Sequence, residues 1–287
     1  MTTAADIDAK VDRLRHLLTA CDSVLVAFSG GVDSTFLVRV AHEVLGPRCL
    51  ALTTASRTTP EDDLAEARAL ATRLGVDHLV VDTDELGVPG YAENPIDRCR
   101  YCKSNLYDIC DAEAVTRGLG VVMDGVNVDD LADHRPGLLA AAAHNVRHPL
   151  VEAGFTKADI RRASRALGLP TWDRPASPCL SSRFPYGTAI TAGGLDRVAS
   201  AERWLRQRGL RELRVRFHNA LARIEVPAED MPRVLAWRAE IMAAFRDIGF
   251  TWVALDLMGF RSGSLNEVLR PETHEGPEDT PPAPRLR

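Results

Sequence analysis

The chain of 287 residues is 45% hydrophobic and 26% charged, and its formal net charge is −5. A chain this long buries a full core as one large domain or two smaller ones without disulfide staples, and six cysteines are too few for a disulfide scaffold. The acidic balance argues against a broad nucleic-acid surface, though not against a local basic pocket.

The N-terminal stretch MTTAADIDAKVDRLRHLL lacks the long apolar run of a signal peptide, and no later stretch has the apolar length of a membrane span. A cytoplasmic protein with reduced thiols is expected. Residues 24–28 (VLVAF) read as a strand buried on both faces, and 50–55 (LALTTA), 79–83 (LVVDT) and 121–126 (VVMDGV) repeat that character. Helical patterns at 34–45, 60–74 and 104–117 lie between or beside them. The second opens on Pro60 followed by Glu61, Asp62 and Asp63, where the helix dipole favours acids. This alternation implies an α/β fold, a doubly wound parallel sheet with helices on both faces. A proline- and serine-rich loop then leads to a helix (191–208), a two-stranded ribbon (211–226), a helix (229–246) and a strand (251–257). The expected organisation is one domain over 1–170, the loop over 171–190, a smaller C-terminal α+β domain over 191–270 and a disordered tail over 271–287. The tail holds five prolines and almost no apolar bulk.

The strongest local motif is SGGVDS, Ser29 to Ser34, set between the first apolar run and a helical pattern. Its glycines let the backbone turn tightly and approach a ligand. Backbone N–H groups of such a loop and helix start bind phosphate oxygens, and the Ser29 and Ser34 hydroxyls add donors. Asp33 would repel phosphate unless a cation intervenes, so it is expected to hold magnesium. A glycine turn with a serine cap would look similar in isolation. The full six-residue string in this setting, however, resembles the PP-loop of ATP pyrophosphatases, not a Walker loop, whose Lys-Ser/Thr ending is absent. The resemblance implies cleavage of ATP between the α and β phosphates, with AMP passing to a carboxylate or carbonyl oxygen. It does not specify the substrate.

Cys21, Cys49 and Cys110 fall in or beside apolar and helical patterns and read as core residues. Cys99, Cys102 and Cys179 lie in polar or proline-rich surroundings. Cys179, in ASPCLSSRFPYG, is followed four residues on by Arg183, and a nearby arginine favours the thiolate. Three readings stand. Cys179 alone is reactive; or the three cysteines bind zinc, although a structural zinc site takes four ligands; or they hold a 4Fe-4S cluster with one iron open to an exogenous ligand. The cluster is the reading carried forward.

In chain order SGGVDS, CxxCK (Cys99 to Lys103), DGVNxDD…RPG (Asp124 to Gly137), PCLSSRFPYG (Pro178 to Gly187), RVRFHNALARIEV (Arg214 to Val226) and DLMGFRSGSLN (Asp256 to Asn266) resemble the LarE family. These are ATP-dependent sulfur transferases that help to build the nickel-pincer nucleotide cofactor of lactate racemase and its relatives. The resemblance spans about residues 8–268. It implies a small-molecule mononucleotide substrate, a pyridinium biscarboxylate, whose carboxylate is adenylated before sulfur displaces AMP. It implies an ATP site at Ser29, Gly30, Gly31, Asp33, Ser34, Thr54 and Gly125, with magnesium on Asp33. Cys179 corresponds to the family's reactive cysteine. In single-cysteine members that residue gives up its own sulfur and becomes dehydroalanine. This chain instead resembles the three-cysteine branch, in which Cys99, Cys102 and Cys179 would hold the cluster and a sulfide would ride on its free iron. A homo-oligomer, without nucleic acid or membrane partners, is expected.

Strand alternation places Arg214 and Arg216 on one face of the ribbon, opposite Leu213, Val215 and Phe217. A paired-arginine face suits a phosphate monoester, although such a face can also be simply solvated. With the resemblance, Arg214 and Arg216 are assigned to the substrate phosphate, and Glu202 and Glu225 to neighbouring polar contacts. Lys103 and Arg183 would neutralise phosphates or the charge developing during acyl transfer. Asp129 and Asp130 would join Asp33 at magnesium or cap the next helix. His218 stands out only through its motif. A tRNA 2-thiolase is the alternative, since some combine a PP-loop, a CxxC and a distant third cysteine. Val32 where the cytidine-thiolating group has lysine, the negative charge and the lack of a further cysteine-rich zinc module count against it. A catalytically dead nucleotide sensor is disfavoured by the intact Ser29, Asp33 and Ser34.

Overall fold

The computed structural model describes residues 3–132, 136–261 and 263–269; the expected tail lies outside the described residues. Helix α1 (Ala4–Thr19) opens on a capping box between Thr3 and Asp6. Four parallel strands follow: β1 (Val24–Ala27), β2 (Cys49–Ala55), β3 (Asp77–Asp82) and β4 (Val121–Met123). Helices α2 (Val32–Leu45), α3 (Glu61–Leu74) and α4 (Arg98–Arg117) connect them. The strand order is β3-β2-β1-β4, so the winding reverses beside β1. In open α/β sheets ligands bind at that reversal, outside the carboxyl ends of the strands.

Short helices α5 (Gly137–Ala143) and α6 (Pro149–Glu152) lead to α7 (Lys157–Ala166). On one face of the sheet, Leu14, Leu18, Phe36, Phe155 and Ile160 pack over Val24 and Val26. On the other, Tyr107, Cys110, Ala140 and Ala141 pack over Leu25 and Leu52. Cys21, Cys49 and Cys110 are buried in these layers.

Two strand expectations need correction. Residues 79–83 do not form a strand buried on both faces. Among the described residues β3 is an edge strand with β2 as its one neighbour, and it is half-exposed along its length. The run at 121–126 stops at Met123, where the chain turns so that Gly125 can pass against the start of α2. The start of α3 after Pro60, with three acids in its first turn, is as expected. Helix α4 begins at Arg98, six residues before the pattern 104–117, and so includes both Cys99 and Cys102 in its first turns.

Beyond the loop, α8 (Ala192–Arg206) covers a second sheet of β5 (Arg214–His218), β6 (Leu221–Glu225) and β7 (Trp252–Leu255), in the order β5-β6-β7. Leu195, Leu205, Phe217, Phe245 and Phe250 form its core. Tyr91, Leu180 and Phe184 join that core, so the loop over 171–190 is docked into it. The single helix expected at 229–246 is two, α9 (Met231–Ala236) and α10 (Arg238–Ile248). At Trp237 ψ rises to 11°, and the break keeps its hydrogen bonds, because Trp237 N–H donates to Arg233 O (3.1 Å) and Ile241 N–H to Trp237 O (2.9 Å).

α1 is tied to α7 by Lys10 Nζ donating to Asp159 Oδ2 at 2.6 Å. Burial opposes ionisation of Asp159, but Lys10 and the Thr156 hydroxyl and amide outweigh it and hold the carboxyl at about 2. A carboxyl lowered on folding stabilises the native state above its unfolded value and loses that contribution as pH falls through its folded one. The unfolding free energy should therefore drop between pH 3.8 and about 2 by a component missing from Asp159→Asn. Chemical denaturation across that range would show parallel profiles for the two proteins if the pair contributed nothing.

Candidate functional site

β1 hands directly to the motif loop, and α2 begins at Val32 with Gly31 as its N-cap. Gly30 takes a left-handed φ of +68°, and a Cβ on it would stand 3.1 Å from Ala67 of α3. A Cβ on Gly125 would stand 2.9 Å from the Ser34 nitrogen, so only glycine lets the end of β4 approach the loop this closely. The Ser29 and Ser34 hydroxyls face each other at 3.2 Å, and Ser34 Oγ donates to Gly31 O at 3.4 Å. Thr54, near the end of β2, is half-buried. The loop thus presents glycine amides, two hydroxyls and a helix start at the reversal of the sheet.

Asp33 faces this loop with one oxygen paired and one free. Oδ2 accepts from Lys157 Nζ, while Oδ1 is buried without a partner. Burial raises its pKa, Lys157 opposes the rise, and Asp130 adds to it. An orphaned carboxylate oxygen beside a phosphate-binding loop fits a magnesium ion. Asp129 Oδ2 accepts from the Lys157 amide at 2.8 Å. Among the described residues no three potential ligands stand close enough to hold an ion by themselves. Magnesium here would therefore lean on phosphate oxygens and water, as that ion usually does.

The CxxC lies in the first turns of α4 and the third cysteine in the 171–190 loop, and among the described residues the three thiols do not form a group close enough to hold a metal ion. Cys99 is exposed, Cys102 and Cys179 are half-buried. Burial and the neighbouring Cys179 thiol push Cys102 up to about 12; Lys103 opposes this, while Glu85 and Cys99 add to it. Cys102 is thus the electrostatic neighbour of both other thiols. One anchor sets the two segments relative to each other. Asn94 is buried with φ +57°, donates from Nδ2 to Pro185 O (2.7 Å) and Thr188 O (3.0 Å), and accepts from Arg98 at the start of α4. Tyr91 Oη and Ser181 Oγ, 2.6 Å apart, add a second tie. Cysteine thiolates are the side chains that ligate iron–sulfur clusters, and three of them would leave one iron without a protein ligand.

Arg183 does not face solvent or an open site. It is fully buried and bidentate to Glu202, Nε to Oε1 at 2.8 Å and Nη2 to Oε2 at 2.9 Å. Its Nη1 donates to Pro178 O (2.7 Å), Cys179 O (3.0 Å) and Ser182 Oγ (2.9 Å). The expectation of a cation meeting phosphate directly is corrected: every guanidinium nitrogen is engaged, and the group holds the backbone at Cys179. Glu202 is kept ionised despite its burial by Arg183, Arg206 and the Val215 amide. Lys103 crosses Gly137, where a Cβ would stand 2.9 Å from Lys103 Cγ, and its Nζ lies 5.9 Å from the Tyr107 ring.

Arg214 and Arg216 are both buried, because the loop covers their face of the ribbon. Arg216 is bidentate to Glu225 (2.9 and 2.8 Å) and also donates to Ser182 O and Ser264 Oγ, each at 2.7 Å. Arg214 differs. It donates to the Leu213 and Ala176 carbonyls (2.6 and 2.9 Å) and lies 5.0 Å from the Phe260 ring, with no carboxylate at ion-pair distance among the described residues. Burial, with Arg183, Arg216 and Arg206 nearby and Glu202 opposing, brings it down to about 10. An under-compensated buried guanidinium is a ready anion site. His218 Nε2 is buried without a partner, and burial lowers the pKa of its ring.

Sequence reasoning passed over Lys157, Arg174, Asn94 and Tyr91. Of these, only Lys157 carried a hint, sitting at the start of a helical pattern behind Thr156.

The fold and loop define a PP-loop enzyme that uses ATP. Residues 7–89 match the family model described as NAD synthase. The chain is 44% identical over 265 residues to an uncharacterised Synechocystis protein, slr1717, covering 92% of this chain and 99% of that one. It is 38% identical over 266 residues to the pyridinium-3,5-bisthiocarboxylic acid mononucleotide synthase of Lactiplantibacillus plantarum, covering 92% of this chain and 96% of that enzyme. The tRNA-specific 2-thiouridylase MnmA of Azorhizobium caulinodans matches more narrowly, at 30% over 55% of this chain and 50% of its own length. The chain belongs to the LarE family of ATP-dependent sulfur transferases. No described helix is long and apolar enough to cross a membrane.

Proposed function

We propose that this protein adenylates a carboxylate of a pyridinium-3,5-biscarboxylic acid mononucleotide and replaces it with a thiocarboxylate, a step in nickel-pincer nucleotide assembly. The observation that carries this reading is the match to the Lactiplantibacillus synthase over nearly the whole of both chains. Residues 1–170 form the ATP-using domain, 171–190 the loop that carries Cys179, and 191–270 the substrate domain.

The reaction has two halves. A substrate carboxylate oxygen attacks the α-phosphorus of ATP and pyrophosphate leaves. A sulfur nucleophile then attacks the acyl carbon, and AMP leaves with the bonding electrons. The amides and hydroxyls of Ser29 to Ser34 hold the departing pyrophosphate, with Thr54 and Gly125 beside them. Asp33 contributes its free Oδ1 to magnesium, and Lys157 moves from Asp33 to the phosphates. Arg214 takes the substrate phosphate, for among the described residues it is the buried guanidinium of the ribbon without a carboxylate at ion-pair distance. Arg216, with Glu225, orients that site, and Arg183, with Glu202, positions Cys179. Lys103 stands beside the thiols as a cation for the developing oxyanion. A 4Fe-4S cluster on Cys99, Cys102 and Cys179 would supply an iron able to carry an exogenous sulfide.

Calorimetry tests the assignment. Arg214→Ala should weaken mononucleotide binding by about tenfold to a hundredfold, the equivalent of one charge-assisted hydrogen bond, with ATP binding retained. Asp33→Ala should stay folded and lose AMP formation. Wild-type mononucleotide affinity in Arg214→Ala would move the phosphate site elsewhere.

A further inference from the structure

The segment leading to Cys179 is fastened to the pyrophosphate loop by side chains that the chemistry above does not use. Arg174 donates from Nη1 to Gly30 O at 3.0 Å and from Nη2 to Asp63 Oδ1 at 2.8 Å, and it also pairs with Glu66. Ser177 donates to the other oxygen of the same carboxylate, Asp63 Oδ2, at 2.6 Å. Asp63 stands in the first turn of α3, the helix whose Ala67 lies against Gly30. On the far side, Arg161 of α7 donates to the Trp172 and Arg174 carbonyls at 2.8 Å each. Pro175 and Pro178 restrict the chain between Arg174 and Cys179, so little slack separates the tether from the thiol.

The carbonyl that Arg174 grips belongs to the same planar peptide as the Gly31 amide. That amide rests at 3.3 Å on the Ser29 hydroxyl, a long contact. An anion that draws the Gly31 N–H toward itself reorients and then fixes this peptide, and with it the acceptor of Arg174. Resting on the reading that ATP binds at Ser29 to Ser34, we propose that the Arg174–Asp63–Ser177 tether transmits nucleotide occupancy of the loop to the segment bearing Cys179. Arg174 is then a positioning residue for sulfur transfer, holding that segment in place once ATP is bound.

Backbone hydrogen exchange of the full chain, with and without magnesium and the non-cleavable α,β-methylene ATP, tests this. Two stretches report separately. Residues 28–38 report nucleotide binding. Residues 176–184 report the tether, through the Leu180 amide held by Thr58 O at 2.8 Å and the Ser182 amide held by Cys179 O at 3.0 Å. In the wild type both stretches should slow on adding nucleotide, the second by about tenfold, the equivalent of one charge-assisted hydrogen bond. In Arg174→Ala, and in Ser177→Ala, which removes only an exposed hydroxyl, residues 28–38 should still slow while residues 176–184 no longer respond. A response at 176–184 that survives both substitutions would mean that nucleotide covers the segment directly, and would overturn the tether. So would protection at 28–38 with none at 176–184 in the wild type. No protection at 28–38 in the wild type would instead remove the ATP reading, and the tether with it.

Discussion

Cys102→Ser is expected to lose iron and sulfur transfer together while still binding ATP. The same result is expected for serine at Cys99 and at Cys179. Cys102 lies in electrostatic reach of both other thiols, and the two segments that carry them share the Asn94 anchor. Removing one thiolate from a set of three leaves too few soft ligands for a cluster. Anaerobic reconstitution with iron and sulfide, followed by iron analysis and an absorption spectrum, reads cluster loss independently of activity. A sacrificial mechanism gives the opposite pattern. Cys179→Ser would be inactive, Cys99→Ser and Cys102→Ser would remain active, and each wild-type chain would lose the mass of one hydrogen sulfide molecule in a single turnover. Protein without iron that shows this mass loss at Cys179 would end the cluster proposal.

The largest effect on stability is expected from Glu202→Ala. Glu202 and Arg183 are both fully buried, and the pair is bidentate. Deleting one partner strands the other charge in the core, which typically costs about 3–5 kcal/mol. Urea denaturation should register that loss, whereas a change below about 1 kcal/mol would place the pair among exposed bridges of small effect. The pH dependence has a defined sign. The Glu202 carboxyl titrates below its ordinary 4.5 in the folded protein, so its contribution is complete above 4.5 and lost as pH falls through the lowered value. Because Arg183 also holds the Pro178 and Cys179 carbonyls, the same variant should loosen the loop at the reactive thiol.

Signals carried by contiguous residues are legible in this chain before any fold is known. A strand end, a glycine turn and a helix start adjoin in VLVAFSGGVDS, and local backbone geometry makes such a string a phosphate cradle wherever it occurs. The alternation of apolar runs with helical patterns likewise marks the α/β class, and the apolar or helical settings of Cys21, Cys49 and Cys110 mark them as core. Charges that meet across the fold leave no such trace. Lys157 reaches Asp33 over 124 positions, and Arg174 reaches Gly30 over 144. Period-two alternation puts Arg214 and Arg216 on one face, but it cannot tell a solvated face from one roofed by the 171–190 loop. Arg183 reads as a free cation for the same reason, until α8 brings Glu202 against it. Backbone preferences act within a few residues, so they are written locally. The ionisation and pairing of a buried side chain depend on which distant elements exclude water from it, and packing alone establishes that.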